Sequence, residues 1–82
     1  MQNILITGCS SGIGLQTALT LKVKNYKVYA SARKQKDVEM LKSLGFEAFK
    51  IDVRNKEEIT FALNNILKND LKLDAVFNNA GF

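Results

Sequence analysis

The chain has 82 residues, of which 46% are apolar and 24% are charged. These values are typical of one small globular domain, which buries roughly 60% of the surface that its unfolded chain exposes. They exclude a two-domain enzyme, a disordered chain and a fibrous protein. The net charge of +4 comes mainly from lysines scattered among acidic residues, which predicts a solvated surface and no nucleic-acid partner.

Several kinds of site are excluded by residue type. Cys9 is the only cysteine and the sequence has no histidine, so an internal disulfide, a zinc site and histidine-dependent catalysis are ruled out. No apolar run approaches the roughly 18 to 20 residues of a membrane-spanning helix, and residues 1–4 lack the basic flank and apolar stretch of a signal peptide. We therefore expect a cytoplasmic protein without a metal ion or a membrane partner.

The first half of the chain alternates between strand and helix patterns. The apolar residues 4–6 predict a buried parallel strand, and a glycine-rich turn follows them directly. Residues 12–24 then predict a helix, residues 28–32 a second strand and residues 36–44 a second helix. Gly45 stands where a left-handed residue would end that helix.

The second half repeats the same alternation. Residues 46–51 predict a third strand, and Asn55 with Glu58 has the spacing of a capping box at the start of a third helix. That helix carries one apolar stripe, formed by Ile59, Ala62, Leu63, Ile66 and Leu67. Residues 73–78 predict a fourth strand. The order β-α-β-α-β-α-β predicts a Rossmann-like, doubly wound α/β fold, a parallel sheet of strand order 3-2-1-4.

Three glycines lie in the turn between the first strand and the first helix. Gly8 can adopt dihedral angles that a side chain forbids, Gly12 allows the main chain to approach a ligand, and Gly14 allows the helix to pack on the strand. The N-terminus of the following helix offers free N–H groups and a partial positive charge to a pyrophosphate. The turn therefore predicts a dinucleotide site.

Other interpretations of this turn are less well supported. The G-x-x-x-G-x-G spacing lacks the Gly-Lys-Ser/Thr ending of a P-loop. Residues 8–12 also satisfy G-x-S-x-G, the nucleophile elbow of α/β-hydrolases, but that elbow needs a histidine base, which this chain lacks. A purely structural turn stays possible, although three glycines placed between the first strand and its helix favour a ligand site.

The end of the second strand indicates which dinucleotide is bound. A carboxylate at this point binds the ribose 2′-hydroxyl of NAD, whereas an arginine accommodates the 2′-phosphate of NADP. Here the strand runs into Arg33 and Lys34 with no carboxylate, and an arginine can form a bidentate contact with a phosphate. We therefore expect NADP in preference to NAD; the alternative is that both residues are simply solvated.

With these residues in place, the whole chain resembles the N-terminal part of a short-chain dehydrogenase/reductase. The turn from Thr7 to Gly14 is similar to the cofactor motif of this family, and Asp52-Val53 resembles its adenine-contacting pair. Residues 78–81 are similar to its Asn-Asn-Ala-Gly motif beside the cofactor. On local grounds alone, the alternative is that Asp52 is a cap or turn residue entering the third helix and that the asparagines are turn formers. The predicted cofactor-binding residues are Gly8, Ser10, Ser11, Gly12, Ile13, Gly14, Arg33, Asp52, Val53, Asn79, Ala80 and Gly81.

The resemblance implies a reaction whose catalytic residues are missing from this sequence. In the family a tyrosine transfers a proton to or from the substrate oxygen while hydride passes to or from nicotinamide, and a lysine four positions after the tyrosine assists it. Ala30 and Arg33 stand four positions after the two tyrosines, so there is no Tyr-x-x-x-Lys. We predict no catalytic residue in this chain.

Two hypotheses of function follow. The first is that the chain is the cofactor-binding part of an NADP-dependent oxidoreductase acting on a carbonyl or alcohol, and that the domain continues beyond residue 82. The predicted fourth strand supports this, because Leu73, Ala75, Val76 and Phe77 would form an uncovered sheet edge. The second is a stand-alone nucleotide-binding module without catalysis. The substrate and the oligomeric state are left open by these residues.

Overall fold

Strands and helices alternate along the chain in a computed structural model, which describes residues 2–10, 12–70 and 72–79. The elements are β1 (Asn3–Thr7), α1 (Gly12–Val23), β2 (Lys27–Ala32), α2 (Gln35–Ser43), β3 (Glu47–Lys50), α3 (Lys56–Asp70) and β4 (Ala75–Asn78).

The four strands form one sheet in the order β3-β2-β1-β4. All three pairings are parallel, with Ile4 beside both Val28 and Ala75, and Ala30 beside Ala48. Parallel neighbours need crossover connections, and here each crossover contains a helix. The predicted Rossmann-like α/β fold with strand order 3-2-1-4 is confirmed.

Alternate side chains of the central strands are buried on opposite faces of the sheet. Ile4 and Ile6 pack in one apolar cluster with Ala18 of α1 and Leu41 of α2. The intervening Leu5 belongs to a second cluster, which contains Tyr29 and Ile66. Because Ile66 belongs to α3, helices α1 and α2 cover one face of the sheet and α3 covers the other.

Left-handed residues end the first two helices. Gly45 has φ +94° and follows α2, where its N–H donates to the Lys42 carbonyl (3.0 Å) and the next N–H, of Phe46, donates to the Leu41 carbonyl (3.2 Å). This pair of bonds is a Schellman motif, and it confirms the predicted role of Gly45. Asn25, with φ 69°, ends α1 in the same way although it is not a glycine.

The start of α3 differs in one respect from the prediction. Asn55 caps the helix, since its Oδ1 accepts from the N–H groups of Glu57 (3.0 Å) and Glu58 (3.2 Å). The predicted capping box is wrong, however. Glu58 Oε1 accepts from the N–H of Asp52 (2.7 Å), while the N–H of Asn55 donates to the Asp52 carbonyl (2.8 Å). The glutamate therefore fastens the β3–α3 loop to the helix.

Strand β4 lies at the edge of the sheet and is exposed along its length. It begins at Ala75, two residues later than predicted, and Leu73 before it packs on the cluster of Leu5, Tyr29 and Ile66. Val76 is 56% exposed and Phe77 is 41% exposed. By register Phe77 faces the α1 and α2 side with Ile6, and Val76 faces the α3 side with Leu5.

None of the described helices is long and apolar enough to cross a membrane.

Candidate functional site

A cleft opens at the carboxyl edge of the sheet, where β1, β2, β3 and β4 end side by side. Its volume is about 340 Å³. Open α/β sheets bind ligands in this crevice, at the point where the strand order reverses. In this sheet the strand order reverses between β1 and β4. The cleft is lined by Gly8, Ser10, Arg33, Ile51, Asp52, Val53 and Asn79.

Two described residues of the glycine turn have positive φ: Gly8 in the lining of the cleft, and Gly12 at the start of α1. Gly8 has φ 69° and Gly12 has φ 64°, a region that side chains other than glycine rarely adopt. Among the described residues, leaving aside the chain neighbours and the helix's own backbone, no heavy atom lies within 4 Å of where a Gly12 Cβ would be. The backbone at the start of α1 is therefore open to a close ligand.

Gly14 serves the packing of α1 on the strand ends. A Cβ atom at this position would collide with the carbonyl oxygen of Gly8 and lie 2.5 Å from Asn79 Nδ2. The same Nδ2 donates to the Gly8 carbonyl (3.3 Å). Gly14, Gly8 and Asn79 thus form one close-packed contact that joins α1, the β1 turn and the end of β4.

Cys9 lies within the turn but is not available for chemistry. Its side chain is fully buried, its Sγ donates to the Ile6 carbonyl (3.1 Å) and its N–H donates to the Ser31 carbonyl (2.8 Å). Burial raises the pKa of the Cys9 thiol, although the hydrogen bond with the Ser31 backbone partly opposes this. A buried thiol of raised pKa is a poor nucleophile, so Cys9 has a packing role.

Arg33 follows β2 and is the cationic side chain in the lining of the cleft. The residue is exposed, and within residues 2–10, 12–70 and 72–79 it makes no hydrogen bond or ion pair. Its guanidinium, with donors on a planar fork, is therefore free to meet an anion entering the cleft.

Asp52 also lines the cleft, and its carboxylate is held by Arg54. Asp52 Oδ1 accepts from Arg54 Nε (3.0 Å) and from the Arg54 backbone N–H (3.0 Å), and Oδ2 accepts from Arg54 Nη2 (2.9 Å). These hydrogen bonds lower the pKa of Asp52 to about 2, and the charges of Arg54 and Arg33 act in the same direction. Asp52 is therefore a fixed carboxylate at neutral pH.

The structure brings together six of the predicted cofactor-binding residues, those that line the cleft: Gly8, Ser10, Arg33, Asp52, Val53 and Asn79. Gly12 and Gly14 belong to the adjoining start of α1, and the Ile13 side chain there is 72% exposed. Ser11, Ala80 and Gly81 lie outside the described residues. Binding of a dinucleotide by this set stays a prediction.

Sequence reasoning missed two residues at the site. Ile51 lines the cleft, and its place directly after β3 and before Asp52 could have indicated this. Arg54 pairs with Asp52, and the i, i+2 spacing of opposite charges in a predicted loop was the available signal. Among the described residues, no group of three or more histidine, cysteine or acidic side chains could hold a metal ion.

Comparison with known proteins assigns the family. Residues 2–82 match the model of the short chain dehydrogenase family, so the chain belongs to it. An uncharacterized oxidoreductase of Escherichia coli, YbbO, is 45% identical over an alignment of 82 positions that covers 99% of this chain and 30% of YbbO.

Two solved structures show the same fold with a cofactor. NAD⁺-bound xylitol dehydrogenase superposes with a TM-score of 0.83 at 28% identity, covering 99% of this chain and 34% of that protein. An actinorhodin polyketide ketoreductase with NADPH superposes with a TM-score of 0.81 at 30% identity, covering 95% and 32%. The predicted relationship to short-chain dehydrogenases is confirmed, and this chain spans about a third of the length of these proteins.

Proposed function

We propose that these 82 residues are the dinucleotide-binding part of an NADP-dependent oxidoreductase that transfers hydride between NADP(H) and a carbonyl or alcohol. The observation that carries this proposal is the cleft at the carboxyl edge of the sheet, with Arg33 on one wall and the glycine turn beside it. Its volume of about 340 Å³ lies in the range of small-molecule sites and suits the adenosine end of a dinucleotide.

The residues present fit such a cofactor. Gly12 leaves open space at the start of α1, where backbone N–H groups and the helix dipole favour a pyrophosphate. Asp52 and Val53 would border the adenine, and Asn79 would border the cofactor beside the Gly8 turn. When bound, the cofactor supplies or accepts hydride; this chain's own task is to bind and orient it.

Arg33 supports NADP over NAD. A 2′-phosphate carries two charges and matches the guanidinium fork, and no carboxylate directly follows β2 to bind a 2′-hydroxyl. The structural neighbours do not decide between the cofactors, because one was solved with NAD⁺ and another with NADPH.

The proposal also assigns the chain to the N-terminal part of a longer domain that provides the catalytic residues. Two observations support this. The chain spans only 30% of YbbO, and β4 exposes Val76 and Phe77 at the sheet edge.

A non-catalytic nucleotide-binding module is the second candidate. Tyr29 is fully buried and cannot reach a substrate in the cleft, which agrees with this candidate and equally with the first, since neither places a catalytic residue in these 82 residues. The two candidates differ in whether the coding sequence continues into a serine and a Tyr-x-x-x-Lys. If it does not, and no partner chain provides these groups, the enzymatic proposal fails.

The test is to measure dissociation constants for NADP and NAD by calorimetry in the wild type and in Arg33→Asp. We expect the preference for NADP to fall by about tenfold or more, since a charge-assisted phosphate contact is replaced by repulsion. Lys42→Asp, the same change of charge in the last turn of α2, is the control and should leave the preference intact. An unchanged ratio in Arg33→Asp would refute the role of this residue.

A further inference from the structure

Asp52 and Arg33 face the same cleft from adjacent strand ends. Strands β2 and β3 pair up to Ala32 and Lys50, and beyond them the N–H of Ile51 donates to the Ala32 carbonyl (3.0 Å). Arg33 and Asp52 follow this last bond directly, and both line the cleft. The positive charge of Arg33 contributes to the lowered pKa of Asp52, so the two charges interact.

The carboxylate of Asp52 is nevertheless bonded to Arg54. Three hydrogen bonds of 2.9 to 3.0 Å join the two residues, whereas Arg33 makes none within the described residues. Arg54 itself is not among the residues that line the cleft. The cation bonded to Asp52 is thus Arg54, although Arg33 also lines the cleft.

This choice of partner has a direct effect on anion binding. A carboxylate without Arg54 would have Arg33 as its neighbouring cation and would occupy the guanidinium that a phosphate needs. It would also repel a doubly charged phosphate in the same cleft. An Asp52 already neutralised by Arg54 does neither of these.

We propose that Arg54 is a specificity-determining residue for NADP: it holds the Asp52 carboxylate and so leaves Arg33 available to the 2′-phosphate. This inference rests on the proposed function, in which Arg33 receives that phosphate. Arg54 acts through Asp52 and Arg33 and does not itself touch the cofactor.

Other hydrogen bonds also hold the loop between β3 and α3, so we expect the loop to keep its conformation when Arg54 is replaced. Glu58 Oε1 accepts from the Asp52 N–H (2.7 Å), and the Asp52 carbonyl accepts from the Asn55 N–H (2.8 Å). Glu58 is in turn paired with Lys50 (3.1 Å). The side chain of Arg54 is 65% exposed, so its replacement leaves no cavity in the core.

The experiment compares dissociation constants for NADP and NAD in the wild type, Arg54→Gln, Arg54→Lys and the double variant Asp52→Asn/Arg54→Gln. In Arg54→Gln we expect the ratio of NAD to NADP dissociation constants to fall by about two- to fivefold, the range of an exposed ion pair. The fall should be greater at low ionic strength, because salt screens exposed charges. The ratio cancels any loss that affects both cofactors equally, such as a weakened adenine contact or a less stable loop.

The double variant distinguishes specificity from structure. Removing the Asp52 charge should restore the preference for NADP although Arg54 is absent, and Arg54→Lys should retain part of it. Lys68→Gln, which removes one positive charge from the last turn of α3, is the control and should leave the ratio unchanged.

Two different results would contradict the inference. The role of Arg54 alone would be overturned if the wild type prefers NADP through Arg33 but Arg54→Gln leaves that preference unaltered. It would also be overturned if the double variant has as low a preference for NADP as Arg54→Gln. A wild-type protein that binds neither dinucleotide, or that binds NAD as tightly as NADP, would overturn the proposed function and the inference with it.

Discussion

Gly14 is the residue at which the glycine turn has least room. A methyl group there would overlap the Gly8 carbonyl oxygen and crowd Asn79 Nδ2. At an uncrowded helix position, alanine in place of glycine stabilises by roughly 0.5–1 kcal/mol. We expect the opposite sign for Gly14→Ala, a loss of about 1–3 kcal/mol in the free energy of unfolding, because backbone atoms must move apart. Urea unfolding measures this change.

The control for Gly14→Ala is Gln16→Ala, on an exposed position of the same helix. It should alter the free energy of unfolding by no more than about 0.5 kcal/mol. A Gly14→Ala variant as stable as the wild type would show that α1 can move away from the β1 turn at little cost.

Ionisation of Asp52 makes the free energy of unfolding depend on pH. Its pKa is lowered from 3.8 to about 2 in the folded protein, chiefly by the hydrogen bonds from Arg54. A lowered pKa means that folding favours the carboxylate, so the stabilisation is fully present above about pH 5 and is lost as the pH falls through 4 toward 2. Titration of the Asp52 carboxyl by NMR should give this low midpoint.

The Arg54→Gln variant tests the cause of this shift. Without the guanidinium, the midpoint of Asp52 should rise toward 3.8, and the loss of stability between pH 4 and 2 should become smaller. An Asp52 that already titrates near 3.8 in the wild type would contradict the pairing with Arg54.

At the level of elements, α3 depends on its first turn. Asn55 Oδ1 accepts from two N–H groups that have no partner within the helix. Asn55→Ala should lower the free energy of unfolding by about 1 kcal/mol, the usual cost of losing an N-cap. Thermal or urea unfolding measures it. Asn64→Ala, at an exposed position inside the same helix, should instead be neutral or slightly stabilising, so equal losses in the two variants would argue against capping.

Element ends that depend on residue type could be predicted, and those that depend on tertiary contacts could not. Gly45 is a glycine at a helix end and was identifiable as such. Asn25 adopts the same left-handed conformation without being a glycine, which the sequence pattern of α1 did not indicate. The prediction of a capping box was wrong for a similar reason. Glu58 accepts a hydrogen bond from the Asp52 N–H, in the loop before α3, and not from the Asn55 N–H.

At the candidate site, too, some features could be predicted from the sequence and others depend on tertiary contacts. The placement of Gly8, Arg33 and Asp52 at one edge follows from parallel strands whose carboxyl ends align, and it was predictable from alternation alone. The pairing of Asp52 with Arg54, and not with Arg33, depends on the conformation of one loop. No periodicity in the sequence specifies that choice.

At the scale of the whole molecule, the exposed edge strand β4 is where we expect other chains to associate. It exposes apolar side chains on both faces of the sheet, Val76 on one and Phe77 on the other. Exposed apolar edge strands pair with other chains, and a charged side chain suppresses this. We expect Val76→Lys to reduce self-association of the 82-residue chain, as measured by sedimentation velocity over a concentration series.

Val23→Lys is the matched control for this substitution. Val23 is even more exposed but ends a helix, where no strand edge is available for pairing. If the two variants reduce self-association equally, general surface hydrophobicity and not the strand edge would be responsible.

The position of β4 beside β1 also has a kinetic consequence. A hydrogen bond joins the two strands at each end. Asp74 Oδ2 accepts from the Asn3 N–H (2.7 Å), and Thr7 Oγ1 donates to Asn78 Oδ1 (2.9 Å). Each bond joins residues 71 positions apart in the sequence. Contacts between such distant residues carry a large loop-closure entropy and tend to form late, after β1, α1 and β2 have assembled locally. Asn79 reaches the Gly8 turn only with β4. We therefore expect the candidate cofactor cleft to be completed in a late step of folding, so that a nucleotide that binds there would act on that step when present during refolding.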